Sequence, residues 1–250
     1  MIWREQFVQC GIVPNIPVFS AEMATRLLHA IEKIEGTLDV GFYKKVTEST
    51  SDWEQIDHPL QKICRSVIHT PEIMNVLCSI FASDNILIRN IDIFVKNMKT
   101  KLNIAWHVDT PYRWELSRGM ATCWITLTDA NIENGGLEYV IGSHQHHFQQ
   151  NIVDKENMSL KEEQFNEIKS FPIHSVQMKA GEMSIHSLRT VHRSKGNKTS
   201  HRRFAIALRV FTAETTPEIA ECGRPYLLTG DALLWKNKIR DTIPISWHIQ

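Results

Sequence analysis

The segment Arg203-Phe204-Ala205-Ile206-Ala207-Leu208-Arg209-Val210 alternates without a break. Successive side chains of a strand point to opposite faces, so Phe204, Ile206, Leu208 and Val210 share one face and Arg203, Ala205, Ala207 and Arg209 the other. The apolar face must pack on a core or on outer helices. The Arg/Ala face has small side chains that leave room for a ligand, with a guanidinium at its start.

The same period of two recurs upstream. Ile86, Ile88, Ile91, Ile93 and Val95 sit among polar residues as in half-buried strands, with a slip near Asn90. Over residues 121–128, Thr122, Trp124, Thr126 and Thr128 take one face and Cys123, Ile125 and Leu127 the other. Leu137 to Ile141 reads as a strand bounded by Gly135-Gly136 and Gly142. The front of the chain is different. Ser20 is placed to cap a helix with Leu27, Ile31 and Ile34 at helical spacing. Pro59 and Pro71 open two more helices, the second burying Ile73, Val76, Leu77 and Ile80. In the polar stretch 145–172, Ser159 and Glu162 predict a capping box for a short helix with Phe165 and Ile168 on its apolar face, read as a solvated excursion rather than a lid. Helices followed by many short strands predict a β-sandwich or barrel with helices outside. No repeat or Gly/Ser linker interrupts residues 1–250, so one domain is expected, with a helical front at 20–82 and a β core at about 86–215.

Composition narrows the function classes. Lys plus Arg and Asp plus Glu balance at 28 each, which gives no electrostatic reason to bind nucleic acid or an anionic membrane. No apolar run approaches the ~20 residues of a membrane helix, and residues 1–20 do not read as a signal peptide. The five cysteines, at 10, 64, 78, 123 and 222, form no CxxC pair, which points away from a disulfide framework or thiolate zinc site. The expected setting is cytoplasmic, and the expected partner is a small molecule. Nothing in the sequence reports the oligomeric state.

Chemistry concentrates in Trp106-His107-Val108-Asp109. Residues i and i+2 of a strand point the same way, so His107 and Asp109 deliver an imidazole and a carboxylate to one point. A third ligand would complete a facial triad with three open positions on Fe(II). His192 and His186 both compete for that place; His192 is preferred because Arg203 follows it by eleven residues at the start of a strand. A dicarboxylate cosubstrate that chelates iron through its keto-acid end needs such an arginine for its far carboxylate. Arg193 and Arg202 lie close by, so a surface salt bridge is the plain alternative for Arg203. His144, His146 and His147 resemble a metal cluster but read as a turn followed by a polar loop. Tyr112, Arg113 and Trp114 line either a substrate pocket or a surface flap.

In order along the chain, His107-x-Asp109, Trp114, Gly119-Met120, Trp124, Asn134-Gly135-Gly136-Leu137, Gly142-Ser143-His144, and His192 with Ser194, Asn197 and Arg203 resemble the phytanoyl-CoA dioxygenase family of Fe(II)/2-oxoglutarate-dependent oxygenases, ectoine-hydroxylase-like members included. The likeness begins at Gly11 to Ile34 and ends in Pro225-Tyr226-Leu227-Leu228-Thr229-Gly230-Asp231. It implies a double-stranded β-helix (a cupin-like jelly roll) with Fe(II) on His107, Asp109 and His192, and O₂ and 2-oxoglutarate as cosubstrates. It implies further that Arg203 pairs with 2-oxoglutarate, that Ser194 and Trp124 touch it, and, through a looser alignment, that Asn97 does. The expected reaction is hydroxylation of a C–H bond in a specialised metabolite, amino acid or acyl derivative, releasing succinate and CO₂. Desaturation, cyclisation and halogenation are rival outcomes on the same scaffold. Halogenases carry Ala or Gly where Asp109 stands, which disfavours the last. A non-catalytic jelly-roll binding protein is the rival of another class. Segments 110–118 and 145–172 depart from the family pattern, so the substrate does not carry over.

Overall fold

The computed structural model describes residues 2–36, 57–109, 119–152, 158–214, 225–231 and 239–250. Four helices precede the β core: α1 (Ile2–Cys10), α2 (Ala21–Glu35), α3 (Pro59–Ile68) and α4 (Pro71–Phe81), with strand β1 (Ile12–Pro17) between the first two. Ser20 Oγ accepts from the Met23 amide 3.1 Å away and so caps α2 as its sequence predicts. Pro59 and Pro71 each occupy the first turn of their helix, where the missing N–H costs nothing. Helix α1 has no counterpart in the sequence reading, because no apolar stripe marks it. None of its residues is buried.

The core is two sheets, antiparallel throughout except at β13 (Ile245–Ile249). The larger contains β1, β2 (Ile86–Lys96), β4 (Met120–Thr126), β9 (Glu182–Ser187), β11 (Arg203–Thr212), β12 (Tyr226–Thr229) and β13 (Ile245–Ile249). Its order is β1-β9-β4-β11-β2-β12, with β13 laid parallel on β2. The smaller sheet runs β3 (Ile104–His107), β10 (His192–Ser194), β5 (Leu137–Val140), β8 (Ile173–Ser175). The interleaved orders β2-β11-β4-β9 and β3-β10-β5-β8 define the double-stranded β-helix. A short hairpin of β6 (Gln150–Ile152) and β7 (Met158–Leu160) stands apart. The pairing of β11 with β2 shifts register between Arg209 and Val210, opposite the slip near Asn90 that the alternation predicts.

The two faces of the large sheet do different work. Its outer face supplies Ile88, Ile91, Ile93, Val95, Cys123, Ile125, Ile185, Phe204, Ile206, Leu208 and Val210, which bury against Leu27, Ile31, Leu60, Cys64, Val67, Ile73, Val76 and Leu77 of the helices. On its inner face Ala205, Ala207 and Trp124 pack with Leu137 and Tyr139 of the small sheet. One expectation fails locally. Ser159 lies in β7, and the 3-10 turn Glu162–Gln164 that leads into the short helix Phe165–Ile168 has no side-chain cap. Hairpin pairing with Asn151 holds Ser159 extended, and this tertiary contact overrides the capping signature.

Among the described residues no helix is long and apolar enough to cross a membrane. Cys10, Cys64, Cys78 and Cys123 are free thiols, while Cys222 lies outside the described residues. Gln61, fully buried on α3, fastens the approach to β13: its Nε2 donates to the Ile243 carbonyl at 2.7 Å and its Oε1 accepts from the Ile243 amide at 3.0 Å. Gln61→Leu strands both backbone groups and is expected to lower unfolding stability by about 1–3 kcal/mol, read from urea denaturation.

Candidate metal centre and cosubstrate pocket

His107 closes β3 and pairs across the small sheet with His192, which opens β10. Asp109 follows β3 and is fixed by its own amide, which donates to the Leu188 carbonyl at 2.9 Å. The ligand-type atoms of these three residues lie within 4.8 Å of one another, all buried. Each imidazole faces the others with the right nitrogen. His107 Nδ1 donates to the Ala105 carbonyl at 2.8 Å and His192 Nδ1 to the Thr190 carbonyl at 2.9 Å. A carbonyl only accepts, so both Nδ1 atoms carry the proton and both Nε2 atoms keep a lone pair. Those Nε2 atoms each stand 3.9 Å from Asp109 Oδ1.

Electrostatics agree with a cation site. Burial, with the neighbouring imidazole adding to it, pushes the pKa of His107 down to about 4. Burial does the same for His192, again to about 4. Both rings are therefore neutral near pH 7, the form that binds metal. Burial works against ionisation of Asp109, but the surrounding imidazoles outweigh it and hold its carboxyl well below the usual range. The other oxygen, Oδ2, is already engaged, by the Thr122 hydroxyl at 2.7 Å and by His186 Nε2 at 3.4 Å. His186 thus stands behind the carboxylate, outside the group of three. Arg209 pairs with Asp92, and its Nη2 reaches to 3.6 Å from Asp109 Oδ1.

The second half of the site lies at the other end of β11. Arg203 is 2% exposed, yet only its Nη2 has a partner, the Gly135 carbonyl at 3.2 Å. Its Nε and Nη1 meet no acceptor among the described residues. Its guanidinium lies 5.3 Å from the centre of the Trp124 ring. Directly opposite Arg203 on β2 is Lys96, fully buried. Lys96 Nζ donates to Ser194 Oγ at 2.7 Å and to the Lys195 carbonyl at 2.6 Å. Burial, then the charge of Arg203, lowers its pKa to about 7. Two buried cations with no described carboxylate beside them are costly unless an anion joins them. Gly135 makes the approach possible: at φ +79° a Cβ there would meet Lys96 Cδ at 2.5 Å and the Lys195 carbonyl at 2.6 Å. Asn197 shapes the turn into β11, its Nδ2 donating to the His201 carbonyl at 2.7 Å.

The structure brings His107, Asp109 and His192 together, and Arg203 together with Trp124 and Ser194. Ser194 Oγ also donates to the Gly135 carbonyl at 2.7 Å. Asn97 lies one residue past the end of β2, where its amide donates to the Gln250 carbonyl at 2.6 Å. The inner-face residue at that point is Lys96, which sequence reasoning missed. Its parity with Asp92 and Phe94 was the available signal. Arg202 points outward, clamping Glu35 at 2.9 and 2.5 Å. His144 Nε2 donates to the Val8 carbonyl of α1 at 3.0 Å and stands outside the His107/Asp109/His192 group. Tyr112, Arg113 and Trp114 lie outside the described residues.

A double-stranded β-helix with a His/Asp/His group at its mouth is the architecture of non-haem iron oxygenases, and sequence comparison places the chain among them. The phytanoyl-CoA dioxygenase (PhyH) profile matches residues 7–205, and the chain belongs to that family. No curated protein sequence matches it significantly. Solved structures share the fold. The apo form of the non-heme monooxygenase ThoJ is 19% identical, with a TM-score of 0.71 over 92% of this chain and 85% of that one. The non-heme alpha-ketoglutarate-dependent carbocyclase SnoK from nogalamycin biosynthesis is 22% identical, with a TM-score of 0.65 over 86% and 85%. The epimerase SnoN, solved with Fe3+, alpha-ketoglutarate and nogalamycin RO, is 18% identical, with a TM-score of 0.65 over 98% and 94%.

Proposed function

We propose that this protein is an Fe(II)- and 2-oxoglutarate-dependent oxygenase that oxidises a C–H bond of a small molecule, with hydroxylation as the outcome. The observation that carries the reading is the convergence of His107 Nε2, His192 Nε2 and Asp109 Oδ1 with every other polar atom of these side chains already bonded or turned away. Such a set of three mixed N/O ligands suits iron and leaves coordination positions for a chelating cosubstrate and O₂. Bound iron would supply O₂ activation coupled to decarboxylation of 2-oxoglutarate to succinate.

The chain's own residues do the rest. Arg203, with two unpaired nitrogens in a dry pocket, accepts the far carboxylate as a planar fork. Lys96 adds a second charge beside it, Trp124 closes the pocket wall, and Ser194 holds Lys96 in place. Ala205 and Ala207 leave the space between metal and clamp. Asp109 occupies the position that halogenating relatives vacate, so halide has no place here. Fold relatives are described as a carbocyclase and an epimerase, so the hydroxylation outcome is the part of the proposal to test first. A library of small molecules should therefore be screened for substrate-dependent succinate with the iron-loaded protein, and products weighed. A gain of one oxygen marks hydroxylation, a loss of two hydrogens marks desaturation or ring closure. Failure to bind either iron or 2-oxoglutarate would sink the reading.

Lys96 gives a pH prediction. In the unliganded fold its pKa of about 7 lies below the unfolded 10.5. The unfolded chain therefore binds more protons between these values, and the unliganded protein gains stability as pH rises through that window. A bound carboxylate favours the charged amine, so 2-oxoglutarate binding takes up a proton above pH ~7. Affinity should fall as pH rises from 7 to 9, by at most about tenfold per unit for one proton. Calorimetry on the Mn(II)-loaded protein checks this, and Lys96→Met should weaken binding and flatten the profile.

A further inference from the structure

Asp109 must offer one oxygen, and one only, for three positions at the metal to stay open. Its Oδ2 is held from behind by a chain of buried groups that continues through the sheet. His186, on β9 and 1% exposed, sits 3.4 Å from Oδ2 through its Nε2. Its Nδ1 lies 3.2 Å from the Tyr139 hydroxyl, which is in turn 2.9 Å from Ser184 Oγ. Carboxylate oxygen only accepts, so Nε2 carries the proton and Nδ1 accepts from Tyr139; the Tyr139 oxygen then accepts from Ser184. One arrangement of protons satisfies every member. Tyr139 and Ser184 are both fully buried, and β-pairing sets the spacing: Ser184 and His186 lie opposite Trp124 and Thr122 across β4. The rings of His186 and His192 are 4.7 Å apart, so His186 is near the ligands but directed at the far side of the carboxylate.

We infer that His186 is a positioning residue: with Thr122 it fixes Asp109 Oδ2 so that Oδ1 alone faces the metal, and Tyr139 with Ser184 holds it in the tautomer able to do so. This rests on the metal assignment above. The mechanism does not require His186 as ligand, acid or base. Its contribution is to hold the carboxylate one-handed, and outer partners of this kind commonly change metal affinity by roughly 10–100-fold.

The test is calorimetric Mn(II) binding to the wild type and to His186→Leu, His186→Gln, Tyr139→Phe and the double variant His186→Leu/Tyr139→Phe, with melting of each metal-free protein. Wild type should bind one Mn(II). His186→Leu should lose roughly 10–100-fold in affinity. His186→Gln, which keeps an N–H donor, should recover most of it. Tyr139→Phe should weaken binding when His186 is present and add nothing when it is Leu, because the tyrosine acts through the imidazole. A purely structural role would lower the melting point of His186→Leu and His186→Gln alike and leave this non-additivity unseen, which would overturn the inference. Unchanged affinity in His186→Leu, or total loss equal to removal of a ligand, would also overturn it. If His186→Leu does not fold, Tyr139→Phe decides alone, since it removes one oxygen and keeps the ring; unchanged affinity there rejects the chain. A wild type that binds no Mn(II) rejects the metal assignment itself.

Discussion

His192→Ala and Asp109→Ala are each expected to abolish tight Mn(II) binding and substrate-dependent succinate formation. Losing an outer partner costs roughly 10–100-fold in metal affinity; losing one of three ligands should exceed that, to about a thousandfold or more. Neither change should unfold the protein. His107 closes β3 and His192 opens β10, outside the helix-backed core, and each alanine removes a buried polar group; Asp109→Ala also leaves the Thr122 hydroxyl and His186 Nε2 without their acceptor, a cost of about 1–3 kcal/mol. Titration of Mn(II) into each variant, beside melting of the metal-free form, separates the two effects. Full affinity in His192→Ala with loss in His186→Gln would move the third ligand to His186.

Arg203→Ala should raise the 2-oxoglutarate requirement by about a hundredfold or more while metal binding stays nearly intact. Removing one partner of a buried charge pair costs about 3–5 kcal/mol, and each 1.4 kcal/mol is tenfold. Lys96 remains beside the vacated space, so some attraction survives. Arg203→Lys should rescue only partly, because a point charge cannot reproduce the planar fork and two like ammonium groups would then share the pocket. Arg202→Ala is the control. Its side chain clamps Glu35 on the outer face and covers the Phe204 ring at 4.7 Å, so it should lose a modest ~1 kcal/mol of stability and leave the cosubstrate requirement unchanged. Succinate formation against 2-oxoglutarate concentration distinguishes the three. A large loss in Arg202→Ala with none in Arg203→Ala would refute the clamp.

Alternation was enough to orient β11 and β4, because in each one face is wholly apolar and the other carries polar or small side chains together with Trp124. It therefore separated Arg203 from Arg202 and put Trp124 inside before any pairing was known. It also located the bulge near Asn90, where two polar residues break the period. What it could not supply is which strands neighbour each other. Lys96 reads as an ordinary lysine at a strand end, and its burial follows only from standing opposite Arg203 and beneath Ser194, residues about a hundred positions away. His186 is the same kind of case: six residues before His192, it competes as a ligand in sequence, and only the register with Thr122 turns it to the back of Asp109. Ser159 misled because a capping signature is local and weak beside hairpin pairing. Strand β13 carries a legible alternation of Ile245, Trp247 and Ile249, but its parallel placement on β2 has no local signature.

The pairing of β1 with β9 joins Ile12 to His186, and it sets a schedule for how the protein is made. A ribosome adding about 5–20 residues per second needs on the order of ten to thirty seconds to travel between those two positions. For that interval β1 lacks the strand partner it has among the described residues, and β2 waits for β11 in the same way. Local helices can form early, but the layers between them are closed only by contacts remote in sequence, the topology that folds slowly. Nascent chains should accordingly present apolar, unpaired strands to holding chaperones, and the His107/Asp109/His192 group is complete only after β10 has emerged. Yield of folded protein should respond to slower synthesis at lower temperature far more than to iron supply during growth.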